Sequence, residues 1–257
     1  TAYTVFDPDC APVSTLARLG GRCDATARTG VLWSRPSQDM SSNVTGSTSF
    51  DFEGDGRVEA VYADECFARV YDGRTGTVLF SQHHSSRTWH ENPVVADVDG
   101  VADQEHVHHG DLRAELVVGS NSNCGSTTTG IACPGVGPRN TDTQFAGIRC
   151  ATGTDCPSGV CVEGFCRCLA DRECCPGRTE DAGAGTECTY VCAAPPEGTP
   201  GSGNTCRASR PVGVRGIRVY SDIADRWVGS RMIWNQHTYH VTNVNDDGRV
   251  PASGATR

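Results

Sequence analysis

An all-β fold of propeller-type blades, interrupted by a disulfide-rich, loop-rich insert, is predicted by three observations on this 257-residue sequence. An acidic turn occurs three times, alternating apolar and polar residues flank the turns as strands would, and the turns recur at a blade-like spacing once two insertions are removed. The blades are expected to be partial or completed by neighbouring chains.

The first turn reads Asp51-Phe-Glu53-Gly-Asp55-Gly-Arg57-Val-Glu59. The second opens with Asp97-Val-Asp99-Gly100 and resumes at Asp111-Leu-Arg113-Ala-Glu115, and the third reads Asn243-Val-Asn245-Asp-Asp247-Gly-Arg249. Oxygen-bearing side chains at alternate positions, a glycine for the tight bend and a closing glutamate make the layout of a calcium loop. Calcium takes six to eight hard oxygen ligands at about 2.3–2.6 Å, and a short loop supplies them by mixing carboxylates, amides and main-chain carbonyls. Asp51, Glu53, Asp55 and Glu59 are the candidate side-chain ligands of the first turn, with the carbonyl of Arg57. Asp97, Asp99, Asp111 and Glu115, with the carbonyl of Arg113, are those of the second. A competing register of that turn uses Asp97, Asp99, Asp103 and Glu105; the first is favoured because Ala114-Glu-Leu-Val-Val118 continues as a strand. The third turn offers Asn243, Asn245, Asp247 and Arg249, with Pro251 where the glutamate would stand, so it has lost charge. The flanks are strands instead of helices, which argues against an EF-hand.

Asp51 and Asp97 lie 46 residues apart, a length that suits one blade of four short strands. The text between them reads as strands over 58–62, 67–71 and 77–81, with Asp72-Gly-Arg-Thr-Gly76 as the turn of a hairpin. From Asp97 to Asn243 is 146 residues, and removing ten inserted residues (101–110) and a ninety-residue excursion (121–210) restores 46. Gly216-Ile-Arg-Val-Tyr220 after the excursion echoes Ala68-Arg-Val-Tyr71 before it. The expected organisation is an N-terminal edge segment (1–30), blades (31–120), a cysteine-rich insert (121–210) and a blade-completing segment with the third turn (211–257).

The Asp-x-Asp-Gly-Asp-Gly pattern with a following glutamate, then Val117-Val-Gly-Ser120, resembles the FG-GAP or VCBS repeat of integrin-alpha-type β-propellers. Ile233-Trp-Asn-Gln-His-Thr-Tyr-His-Val-Thr-Asn-Val-Asn245 is similar to text in large secreted repeat proteins of myxobacteria. The resemblance covers roughly residues 31–120 and 211–251. It implies a calcium-stabilised propeller used for adhesion or scaffolding, and implies no catalysis.

Fifteen cysteines, eleven of them from Cys133 to Cys206, are too many for a reducing cytosol unless they bind metal, and no Cys-x-x-Cys knuckle occurs. Cys150, Cys156, Cys161, Cys166, Cys168, Cys174, Cys175, Cys188, Cys192 and Cys206 therefore read as a disulfide framework holding an independent lobe that projects from the blades. With so little strand periodicity there, staples replace a core. Adjacent Cys174 and Cys175 are expected to bond to different partners. Cys124 with Cys133, and Cys10 with Cys23, are expected to close small loops. The odd total leaves Cys66 as the candidate for an unpaired or cross-chain cysteine.

The net charge is −9, and all 22 basic residues are arginine. Without lysine there is no Schiff-base chemistry, and without a basic stripe no nucleic-acid surface is expected. No leader-like segment opens the sequence and no apolar run is long enough to span a membrane, so a mature, secreted or cell-surface product is expected. No nucleophile elbow, phosphate loop or His-Glu-x-x-His pattern appears. His83, His84, His90 and the inserted His106, His108 and His109 read as a solvated loop, with a secondary zinc, copper or nickel site beside Asp103 and Glu105 as the alternative. His237 and His240 read as part of a packed aromatic cluster. About three and a half 46-residue units remain after the insertions, fewer than a closed propeller takes. Open strand edges then invite pairing with other chains, and Ala2-Tyr-Thr-Val-Phe6 would be one such edge. The reading is a non-enzymatic, extracellular, calcium-binding adhesive or assembly module. Its alternatives are a secreted metal-dependent hydrolase and a sugar- or protein-binding receptor domain.

Overall fold

The structure, a computed structural model, describes residues 1–7, 30–39, 45–86, 92–98, 101–102, 108–109, 112–121, 141–175, 189–209, 215–222, 226–233, 244–245 and 247–252. These residues are all-β apart from two one-turn 3-10 helices, Gly153–Asp155 and Asp171–Cys174. The strands form several small antiparallel sheets which, among the described residues, close into neither a ring nor a barrel.

The first acidic turn joins β3 (Thr48–Phe50) to β4 (Glu59–Ala63), and β5 (Phe67–Tyr71) and β6 (Val78–His83) complete a four-stranded meander. A three-residue bend joins β4 to β5: the Asp64 carboxylate accepts from the N–H groups of Cys66 and Phe67, both at 2.8 Å. The β5–β6 hairpin closes on Asp72, whose carboxylate accepts from the N–H groups of Arg74 and Thr75, while Gly76 takes the positive φ. Gly73 in that bend is required by crowding, because a Cβ there would stand 1.8 Å from the Val58 carbonyl oxygen.

The second acidic turn joins β7 (Val94–Ala96) to β10 (Glu115–Asn121), and β15 (Arg215–Tyr220) follows in the order β7-β10-β15. Both sheets have the same register. Phe50 pairs with Glu59 as Ala96 pairs with Glu115, and Ala60 pairs with Tyr71 as Leu116 pairs with Tyr220. The ten-residue insertion carries its own two-stranded ladder, β8 (Val101–Ala102) with β9 (His108–His109). The ninety-residue excursion leaves from the end of β10 and returns at β15, in the place of the short bend at Asp64.

Each face of the first sheet is covered. One carries Phe52, Val61, Ala63, Ala68 and Val70 against Val95, Leu116 and Val118 of the second sheet. The other carries Ala60, Tyr62 and Tyr71 against Trp33, Tyr3 and Val5, from the pair of β1 (Ala2–Phe6) and β2 (Val31–Pro36). Tyr3 stacks on Tyr62 at 4.5 Å between ring centroids, and the Trp33 indole N–H donates to the Gly73 carbonyl. The pairing of β1 with β2 crosses the boundary expected at residue 30, and gives β1 a partner within its own chain.

The cysteine-rich insert forms a sheet in the order β11-β12-β14-β13, from β11 (Cys161–Val162), β12 (Phe165–Cys168), β13 (Tyr190–Ala193) and β14 (Asn204–Ala208). Four disulfides join Cys150–Cys161, Cys156–Cys166, Cys168–Cys192 and Cys174–Cys206. Cys175 is bonded elsewhere, to a partner outside the described residues, which also include neither Cys10, Cys23, Cys124, Cys133 nor Cys188. Two expectations are corrected. Cys66 is disulfide-bonded within the chain, its partner outside the described residues, so it is neither unpaired nor cross-chain. The insert is not an independent projecting lobe: Phe145 and Ala208 join the core of the first sheet, and the Tyr190 hydroxyl donates to the Ser81 carbonyl at 2.8 Å. A buried charge explains why it docks. Arg69 on β5 meets Asp142 of the insert through two hydrogen bonds, Nε to Oδ2 at 2.7 Å and Nη2 to Oδ1 at 3.0 Å, and its Nη1 meets Asp64. A guanidinium at the centre of a sheet needs carboxylates, and the insert supplies one of them.

Candidate functional site

The first acidic turn is held by its own carboxylates. Asp51 accepts from the N–H groups of Asp55 at 3.0 Å and Gly56 at 2.8 Å, and Glu59 reaches back from β4 to the N–H of Phe52 at 3.0 Å. Gly54 and Gly56 both take positive φ, which lets the chain turn tightly enough for this. The result gathers Asp51, Glu53 and Glu59, with one carboxylate oxygen of each within 4.8 Å of the others. Glu59 is buried, and burial first, then the nearby Glu53 and Asp51 charges, push its pKa up to about 7 against the opposing hydrogen bond from Phe52. A cluster of like charges around a buried carboxylate suits a divalent cation, which would supply the missing positive charge. Asp55 is engaged differently: its carboxylate accepts from the Arg57 N–H at 2.8 Å and pairs with the Arg57 guanidinium at 3.6 Å.

The second turn repeats the framework across its insertion. Asp97 accepts from the N–H of Leu112 at 3.1 Å, as Asp51 does from Gly56, and Glu115 accepts from the N–H of Val98 at 2.9 Å, as Glu59 does from Phe52. Leu112 has φ of 65°, the left-handed conformation of Gly56. Asp97 and Glu115 are both buried. Asp99, Asp103, Glu105, His106 and Asp111 lie outside the described residues. In the third turn the Arg249 N–H donates to Asp247 at 3.0 Å, as Arg57 does to Asp55, while Gly248 takes positive φ. Asn245 lies in this turn with its N–H on the Arg249 carbonyl, Asn243 is outside the described residues, and Pro251 leaves no carboxylate at the closing position.

One segment that the sequence did not single out touches all three turns. The Val228 N–H donates to the Phe52 carbonyl at 2.9 Å, and the Trp227 ring packs 4.6 Å from that of Phe52. Arg113 donates to the Trp227 carbonyl, and the Asp97 N–H to the Arg231 carbonyl at 3.1 Å. The Arg231 guanidinium then reaches the Val244 and Asn245 carbonyls at 3.0 and 2.6 Å. Gly229 passes the second turn so closely that a Cβ would stand 2.6 Å from the Leu112 carbonyl oxygen. The path combines main-chain bonds with the Trp227 ring and two arginine side chains, and no local sequence pattern marks it.

The histidine reading is corrected in part. His83 ends β6 and His84 follows it, and both are buried instead of solvated: His83 Nδ1 lies 3.2 Å from the Cys66 carbonyl and His84 Nδ1 3.1 Å from the Ser120 hydroxyl. The insert docks over this end of the sheet, which the sequence did not foretell. His108 and His109 are described only as β9, and His90, His237 and His240 lie outside the described residues.

Among the described residues no helix is long and apolar enough to cross a membrane. No family model matches the chain, and no curated protein matches it. Among solved structures it is similar to the crystal structure of the V. cholerae biofilm matrix protein Bap1, at 20% identity and a TM-score of 0.43. That similarity covers 87% of this chain and 22% of the other, so the chain spans about a fifth of the length of the protein it matches.

Proposed function

We propose that the chain is an extracellular, calcium-stabilised module of propeller-type repeats with a structural, adhesive or assembly role and no catalytic one. The observation that carries this reading is the gathering of Asp51, Glu53 and Glu59 carboxylates within 4.8 Å at a turn whose hydrogen-bond framework recurs at Asp97 and Glu115. In the first turn calcium would be held by Asp51, Glu53 and Glu59, with Asp55 and the Arg57 carbonyl turning in from the same loop. In the second, Asp97 and Glu115 would be joined by Asp99, Asp111 and the Arg113 carbonyl. The third turn, with Asn243, Asn245, Asp247 and Arg249 and no closing glutamate, would bind more weakly. The ion supplies charge neutralisation and fixes each turn; the chain's own contribution is to place the turns against the segment 227–231.

The four disulfides support an oxidising, extracytoplasmic compartment. Thermal unfolding in excess calcium and in excess chelator at pH 7.5 tests the reading. Ion binding to the native state alone raises stability by about 2.7 kcal/mol at a hundredfold excess over Kd, a shift of several degrees in Tm. An unchanged Tm overturns it.

A further inference from the structure

A cavity of about 450 Å³ lies where β1, the end of β2, the entry to β3 and Tyr62 of β4 meet. Its size is that of a small-ligand site, and none of its described lining residues belongs to the acidic turns. Hydrogen bonds fix its walls. The Asp39 N–H donates to the Thr1 hydroxyl at 3.0 Å, and that hydroxyl donates to the Ser37 carbonyl at 2.7 Å. The Gly46 N–H donates to the Asn92 side chain, which sits so close that a Cβ on Gly46 would stand 2.5 Å from its Oδ1. The Tyr3 ring, stacked on that of Tyr62, forms an aromatic wall.

Two buried acceptors in this lining are unsatisfied. Asp39 is 2% exposed, and while its Oδ2 accepts from the Tyr62 hydroxyl at 2.7 Å, its Oδ1 is buried without a hydrogen-bond partner. The Thr45 hydroxyl is likewise buried and unpartnered. Buried polar atoms are nearly always satisfied by protein, water or a bound ion, so two on one cavity mark what it takes. Burial pushes the Asp39 pKa up against the pull of the Tyr62 and Ser37 hydroxyls, and the Asp64 and Glu65 charges push in the same direction as burial. A positive charge beside Asp39 offsets these effects, yet the described side chains lining the cavity include no basic group.

We infer that this cavity is a binding site for a primary ammonium group, received by Asp39 and the Thr45 hydroxyl, with the Tyr3 ring beside its alkyl stem. An ammonium carries three donors and no acceptor, which matches a lining of one carboxylate and several hydroxyls. A guanidinium fork uses both oxygens of a carboxylate, and Tyr62 already holds Oδ2. Calcium requires six to eight oxygen ligands and is met here by a single carboxylate among the described lining residues. Aromatic faces attract ammonium groups, and the cavity is large enough to admit the stem as well. No lysine occurs among the 257 residues, so the ammonium comes from outside them: a free amine, or a lysine side chain of another protein. The inference is independent of calcium.

Titration of the full chain with n-butylammonium chloride at constant ionic strength, followed by amide NMR, tests it. Excess calcium is kept throughout, so that shifts do not report the acidic turns. The amides of Asp39, Gly46 and Tyr62 are expected to shift with a Kd of about 1 mM. Asp39→Asn keeps an oxygen for Tyr62 and should weaken binding about tenfold or more, and Thr45→Val about threefold. The same spectra show whether each variant is folded, and Thr45→Val carries the test if Asp39→Asn is not. Acetyl-Gly-Lys-Gly-amide binding about tenfold more tightly than butylammonium supports the site and assigns it to a lysine side chain of a partner; equal or weaker binding assigns it to a free amine. Absence of shifts at these amides up to about 20 mM butylammonium overturns the inference, as does binding that both variants leave unchanged. The same shifts produced at lower concentration by methyl glucoside, a neutral polyol, also overturn it.

Discussion

Leu112 stands in the second acidic turn where Gly56 stands in the first. Both residues have positive φ, 65° and 81°, and each donates its N–H to the second carboxylate oxygen of the aspartate that opens its turn, Asp97 or Asp51. A leucine in the left-handed region carries about 1–2 kcal/mol of strain that glycine avoids. Its side chain is largely exposed, so little burial compensates. Leu112→Gly is expected to raise stability by about 0.5–1 kcal/mol after the flexibility cost of glycine is deducted. Urea unfolding measures it, and a loss of stability would show that the second turn does not share the first turn's framework.

Glu59→Gln separates the two roles of the closing glutamate. The amide oxygen still accepts from Phe52, while one of three clustered charges disappears. Without calcium at pH 8 the variant should be more stable than the wild type by about 1 kcal/mol, because a buried like charge is gone. Calcium should then stabilise it less than it stabilises the wild type. Melting curves of both proteins, with calcium and with chelator, check the crossing.

Asp142→Ala leaves the buried Arg69 guanidinium short of one carboxylate and releases the insert from the first sheet. Loss of one partner of a buried ion pair costs about 3–5 kcal/mol, and Arg69→Met/Asp142→Leu should recover most of it. Burial alone would raise the Asp142 pKa, but the Arg69 charge together with the hydrogen bonds from Arg69, Ser81 and the Gln144 N–H outweighs burial and holds it below the ordinary 3.8. Its stabilising contribution is therefore complete above pH 3.8 and lost as the pH falls through the lower, folded value. Stability between pH 6 and 4 should not change on its account, and an acid transition of the wild type should be absent from the double variant.

Two glycines with different reasons should respond differently to alanine. Gly56 has positive φ and open space around its Cβ direction, so Gly56→Ala costs about 1 kcal/mol of backbone strain. Gly73 has ordinary φ but would place a Cβ 1.8 Å from a main-chain oxygen. Gly73→Ala must move the hairpin away from the β3–β4 turn and should cost about 3 kcal/mol or more, with loss of the Trp33 bond to the Gly73 carbonyl. Equal costs in denaturant unfolding would mean crowding does not decide this position.

The bond between Cys174 and Cys206 closes a separation of 32 residues and should carry about 3–4 kcal/mol. Replacing both by alanine should lower stability by that amount, with the loss showing first in the insert. Peptide mapping without reduction should recover Cys174 with Cys206 and Cys168 with Cys192, and should find Cys66 in a bond within its own chain.

Local patterns in the sequence reach the repeated sheets because their causes are local. Short apolar runs mark β4 and β5, buried on both faces, Asp72 and Gly76 mark the hairpin, and the spacing of aspartate, glycine and glutamate marks the first two turns. Even the echo of Ala68-Arg-Val-Tyr71 in residues 217–220 corresponds to one shared register, since pairing depends on the same side chains in both sheets. Tertiary structure decided the rest. Arg69 is a lone charge in an otherwise apolar strand, and only the tertiary structure shows Asp142, 73 residues away, meeting it in the core where the insert docks. The segment 227–231 gathers the three turns through main-chain bonds at Val228 and Arg231, the Trp227 ring and the Arg113 and Arg231 guanidinium groups, partners far apart in the sequence whose meeting only the tertiary structure shows. His83 and His84 are buried at the end of the sheet on which the insert docks. Residue patterns determine which strands and turns form, whereas the meeting of charges and peptide groups far apart in the chain determines which faces are covered.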